Sequence, residues 1–109
     1  MRYGAMDGSL GRPQRSLDGV FQAARDAGLD GVELCLRGDY DRDDFWTDEG
    51  AHATKAAARA FGLELPSLTL LMLNQGGFAG DEATRRRARE IVAHSIDVAS
   101  WLGAATILL

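Results

Sequence analysis

Three times in its 109 residues this chain leaves a helix-like segment through a glycine and enters a short apolar strand. The junctions are Ala27-Gly28-Leu29-Asp30-Gly31-Val32-Glu33-Leu34, Phe61-Gly62-Leu63-Glu64-Leu65-Pro66-Ser67-Leu68 and Leu102-Gly103-Ala104-Ala105-Thr106-Ile107-Leu108-Leu109. A helix ends well on a left-handed residue, and glycine takes that conformation without a Cβ clash. Repetition of such a unit, with strand and helix alternating, predicts parallel strands covered by helices. The third junction ends at Leu109 on a strand with no helix after it, which gives the expectation that residues 1–109 are a single partial domain, the front of a larger repeating fold.

The rest of the chain fits this frame. Residues from Arg2 to Met6 are β-compatible and run into Asp7-Gly8-Ser9 and Gly11-Arg12-Pro13, a loop by its glycine and proline content. Ser16 is placed to cap a helix whose apolar positions Leu17, Val20, Phe21, Ala24 and Ala27 recur at steps of three and four. A second strand, Val32 to Leu36, leads into a polar stretch from Arg37 to Asp44. Thr47, followed by Asp48 and Glu49, starts a second helix that reaches Phe61. Strand three is expected from Leu65 to about Leu71, followed by a glycine-rich loop from Met72 to Gly80. Asp81 caps a third helix with Ala88, Ile91, Val92, Ser95, Val98, Ala99 and Leu102 on its buried face, and strand four is Ala105 to Leu109. The order is βαβαβαβ.

Composition narrows the partners. A net charge of −4 argues against a general binder of nucleic acid or anionic membrane, which usually presents a basic face. The one basic run, Arg85-Arg86-Arg87 with Arg89, falls within the third helix and is expected to be a solvated face. Cys35 is the only cysteine; between Leu34 and Leu36 it is expected to be buried and inert in a reducing compartment. With no long apolar segment, a cytoplasmic location is expected.

Two α/β architectures compete, an open doubly wound sheet and a closed (β/α)₈ barrel. Alternation puts Val32, Leu34 and Leu36 on one face of strand two, and Glu33, Cys35 and Arg37 on the other. On strand three, Pro66, Leu68 and Leu70 likewise oppose Ser67 and Thr69. A sheet with helices on both faces does not readily accept the polar set, whereas a barrel interior that becomes polar toward its mouth does.

Together with Tyr3-Gly4-Ala5-Met6-Asp7 and Asp97-Val98-Ala99-Ser100-Trp101-Leu102-Gly103-Ala104, the first two junctions resemble the N-terminal half of a sugar phosphate isomerase/epimerase of the xylose isomerase-like TIM barrel superfamily. The resemblance spans the whole chain, and it implies the N-terminal half of a (β/α)₈ TIM barrel. It further implies a metal-dependent enzyme that moves a proton between adjacent carbons of a hydroxy-carbonyl sugar or sugar phosphate. The cofactor would be a divalent metal (Mn, Mg, Co or Zn) that polarises the substrate oxygens while carboxylates exchange the proton. Its ligands in such relatives come mostly from later strands, so no catalytic residue and no metal ligand is assigned in this chain, and the chain alone is expected to be inactive. Superfamily members that cut DNA at abasic sites use histidines from early strands; strand three here offers Ser67 and Thr69 instead.

The expected wall of the substrate site is Glu33, Arg37, Ser67 and Asn74. Glu33 could orient a substrate hydroxyl or a neighbouring metal ligand, or form an internal ion pair with Arg2 or Arg37. Arg37 could meet a phosphate or carboxylate bidentately, or bridge to Asp39, Asp41 or Asp43. Those aspartates and Asp44 do not make a calcium loop, because the EF-hand pattern needs glycine at position six and glutamate at twelve, and counting from Asp39 gives Asp44 and Gly50. A solvated loop is expected. Asn74-Gln75-Gly76-Gly77 offers amides where barrel sites lie, or a flexible lid. His52, His94, Trp46 and Trp101 read as surface or packing residues. The rival function is a non-catalytic half-barrel that acts by self-association or as a binding module, and unprotected edge strands make self-association of the half-barrel expected.

Overall fold

The computed structural model describes residues 2–74 and 78–109. Its elements are β1 (Gly4–Met6), α1 (Leu17–Asp26), β2 (Gly31–Leu36), α2 (Asp48–Ala60), β3 (Ser67–Leu70), α3 (Glu82–Leu102) and β4 (Thr106–Leu108). The four strands are parallel and lie in chain order, β1-β2-β3-β4. A doubly wound sheet reverses direction and carries helices on both faces. Here Val32, Leu34, Leu36, Leu68 and Leu70 join one core with Val20 and Phe21 of α1, Ala51 and Ala58 of α2, and Ile91, Val98 and Leu102 of α3. The helices therefore cover one face, as barrel geometry requires.

The three junctions are built alike. Gly28, Gly62 and Gly103 have φ of 75°, 72° and 77°. In each, the residue after the glycine donates its N–H five residues back, Leu29 to Ala24, Leu63 to Ala58 and Ala104 to Ala99, while the glycine donates to the carbonyl three residues back. This is the Schellman arrangement, which satisfies carbonyls that the helix end leaves free. All three receiving residues are buried alanines, so each helix ends close against the sheet. The N-termini are as regular: Ser16, Thr47 and Asp81 accept from the N–H groups of Gly19, Gly50 and Thr84.

Element bounds differ from expectation mainly at strand ends. β3 stops at Leu70 because Leu71–Leu73 tighten into a 3₁₀ turn, and it starts at Ser67 because Pro66 has no N–H to give a ladder. β1 is followed directly by a 3₁₀ turn, Asp7–Leu10. The stretch after β2 folds into two short turns, Tyr40–Arg42 and Asp44–Trp46, with Tyr40 and Phe45 buried.

That second turn sets the entry to α2. The carbonyl of Asp44 lies where a Cβ on Gly50 would stand, 1.7 Å from it. Alanine in place of a helical glycine ordinarily adds up to about 1 kcal/mol. Gly50→Ala is expected to do the reverse, lowering the urea midpoint, because a backbone carbonyl must move; an equal or higher midpoint would show that the turn is not fixed there.

Candidate functional site at the C-terminal strand ends

Residues paired across parallel strands share a face. Met6 with Glu33, Cys35 with Thr69, Ser67 with Thr106 and Thr69 with Leu108 define the side of the sheet turned away from the helices. Glu33 is half-buried there, while Val32 and Leu34 are in the core.

At the C-terminal end of this surface Asp7, with no solvent exposure, collects the polar groups. One carboxylate oxygen accepts from Arg12 Nη1 at 2.6 Å and from the Cys35 N–H at 3.1 Å; the other accepts from Arg37 Nη2 at 3.0 Å. Arg12 also pairs with Asp43 and lies over the Phe45 ring, 5.3 Å from its centroid. Arg37 Nη1 reaches the Cys35 carbonyl at 3.3 Å. A buried carboxylate between two guanidiniums satisfies the requirement that interior charge be paired and hydrogen-bonded. Burial acts to lower the pKa of Arg37, but the hydrogen bond and charge of Asp7 outweigh it, so the net shift is upward and the side chain remains charged. Burial pushes the carboxyl of Asp43 above its ordinary range against the pull of Arg12. Burial, reinforced by the nearby Asp7 carboxylate, pushes the Cys35 thiol up to about 12, and the thiol stays neutral.

Several expectations are corrected. Arg37 bridges to Asp7 on the preceding unit, not to Asp39, Asp41 or Asp43, because its side chain lies back across the end of β1. Arg2 pairs with Glu64, so Glu33 has neither expected partner and makes no salt bridge among the described residues. The aspartate loop is not wholly solvated, since Asp43 packs inward onto Arg12. Arg87, expected on a solvated face, donates to the Tyr40 hydroxyl at 2.7 Å. His94 has the expected packing role, 4.4 Å from Trp46 between ring centroids and in contact with the Trp46 carbonyl through Nε2. Asn74, of the expected substrate wall, is exposed at the end of the turn after β3; Gln75, Gly76 and Gly77 lie outside the described residues. Sequence reasoning missed Asp7 and Arg12. No local signal separates Asp7, the first residue of the turn after β1, from an ordinary loop carboxylate.

Ser67 and Thr69 are buried on the helix-free face, and their hydroxyls have no hydrogen-bond partner. Among the described residues no group of three His, Cys, Asp or Glu side chains is arranged to hold a metal. Asp7 is engaged by cations on both oxygens, so these residues do not fit a metal centre. No helix among them is long and apolar enough to cross a membrane.

Parallel strands in chain order, helices on one face and polar side chains gathered at the C-terminal strand ends define a portion of a β/α barrel. A family model described as xylose isomerase-like TIM barrel matches residues 21–109, and the chain belongs to that family. A search of the curated proteins found no match.

The unpaired hydroxyls give a sharp expectation. An unsatisfied buried polar group costs about 1–3 kcal/mol, so Thr69→Val, which keeps the shape and removes the hydroxyl, is expected to leave stability unchanged or raise it by up to about 1 kcal/mol. Chemical denaturation showing a loss larger than this would mean that the hydroxyl has a partner.

Proposed function

We propose that this chain supplies the first four strands of a metal-dependent sugar isomerase or epimerase that transfers a proton between adjacent carbons of a hydroxy-carbonyl substrate. The observation that carries this reading is membership of the xylose isomerase-like TIM barrel family across residues 21–109. In support, the C-terminal strand ends, where barrel enzymes hold their substrates, carry Arg37 beside β1. In this reading Arg37 and Glu33 belong to the substrate wall, Ser67 faces the same interior, and Asn74 flanks it. Asp7, itself bound by Arg12, and the Cys35 carbonyl hold Arg37 in place. The metal and the proton-transferring carboxylates come from residues outside those described. The protein translated from the complete reading frame is expected to exchange the α-hydrogen of a ketose or aldose with solvent deuterium, and to lose that exchange with a chelator. The 109-residue chain alone is expected to be inactive. Exchange by the short chain, or none by the complete product across free and phosphorylated sugars, would sink the reading.

A second reading, association of the chain with itself, is favoured by the two outer strands. Met6 of β1 and Leu108 of β4 are 38% and 43% exposed, with Tyr3 and Leu109 more exposed still. Strand edges with free N–H and C=O groups and no charged guard residues invite pairing. Light scattering at tens of micromolar is expected to give a mass above that of one chain; a compact monomer that binds no hydrophobic dye would count against it.

A further inference from the structure

We propose that the cleft between the β1–α1 and β2–α2 loops binds a small phosphate group, either inorganic phosphate or a phosphate monoester. The cleft encloses about 310 Å³ and four arginines line it, Arg12, Arg15, Arg37 and Arg42. Their hydrogen-bonding capacity is unequally committed. Arg12 is held by Asp7, Asp43 and the Cys35 carbonyl. Arg37 has five N–H donors and uses one on Asp7 and one on the Cys35 carbonyl, which leaves three. Arg15 and Arg42 are exposed and make no salt bridge among the described residues. The cleft also takes in Ser16 and Leu17 at the start of α1. There Ser16 Oγ accepts from Gly19, while the N–H groups of Leu17 and Asp18 have no acceptor among the described residues. Free donors from two adjoining loops, beside the positive end of a ten-residue helix, suit an oxyanion.

Acidic side chains limit what enters. Asp43 is engaged by Arg12, but Asp39 and Asp44 also line the cleft. With Asp7 behind the wall, the cluster is neutral before any ligand arrives. A single phosphate can sit on the guanidinium side, whereas a long polyanion would meet both carboxylates and a chain of net charge −4. A cation finds no three-donor group among the described residues.

This inference does not rest on the isomerase reading, because binding is measured without turnover. The test is thermal unfolding and ¹⁵N NMR of the chain with inorganic phosphate, glycerol 3-phosphate or chloride at matched ionic strength. Phosphate and glycerol 3-phosphate are expected to raise Tm beyond chloride and to move the Arg37 Nε–H signal. The double variant Arg15→Ala/Arg42→Ala is expected to weaken binding about tenfold, since two solvent-exposed charge contacts are lost, while its unliganded Tm stays put. Stabilisation no greater than that by chloride overturns the proposal, as does unchanged affinity in the double variant. A single-stranded oligonucleotide that binds more tightly than glycerol 3-phosphate also overturns it, by assigning the cleft to nucleic acid.

Discussion

The carboxylate of Asp7 is the interaction on which the upper end of the sheet depends. It is fully buried at the end of β1, yet its partners come from the β1–α1 loop, from the β2 backbone and from the end of β2. Removing one partner of a buried ion pair leaves the other charge uncompensated, which typically costs about 3–5 kcal/mol. Two cations share this one anion, so the loss of Asp7 would leave Arg37 without a carboxylate partner and Arg12 with Asp43 alone. Through Arg12 the same network extends to Asp43 and to the face of Phe45, and so to the turn that leads into α2. Two βα units are thereby locked at the end where barrel sites form.

At the opposite end the fold is set largely by backbone hydrogen bonds, to which Asp30 adds its carboxylate on the Tyr3 N–H and Arg2 its pair with Glu64. Three helices stop with the same pair of hydrogen bonds around a left-handed glycine, and each delivers the chain to the next strand at the same edge of the sheet. The consequence is a division of labour along the strands. The N-terminal ends repeat, and the C-terminal ends differ from unit to unit, with a 3₁₀ turn after β1, two after β2 and one after β3.

What was legible in the sequence follows this division. Caps and junctions are local, so Ser16, Thr47, Asp81 and the three glycines could be read from neighbours within four residues. Two-residue alternation similarly separated Glu33 from Leu34. The Asp7 network was not legible, because Asp7 meets Cys35 and Arg37 at separations of 28 and 30 residues, and nothing local distinguishes a carboxylate buried by long-range contact from one that begins a loop. The same limit misassigned Arg37, whose sequence neighbours include three aspartates while its actual partner lies one strand back. The family match begins at Phe21 and therefore does not reach Asp7 or Arg12 either.

Hydrogen-bond capacity separates the polar residues that build the site from those free to act in it. Asp7 accepts from three donors and Arg12 is surrounded by acceptors, so neither has much left for a ligand. Arg37 is held firmly enough to have a defined position and still keeps most of its donors. Ser67 and Thr69 are the opposite case, buried with nothing bound to their hydroxyls. Native interiors leave few such groups unpaired, and these two stand on alternate positions of one strand, facing the side away from the helices. Charged groups with spare donors at the mouth and unpaired hydroxyls deeper in the wall form a polar gradient along β2 and β3, and that gradient is what a barrel needs to hold a polar molecule at one end while its other end stays packed.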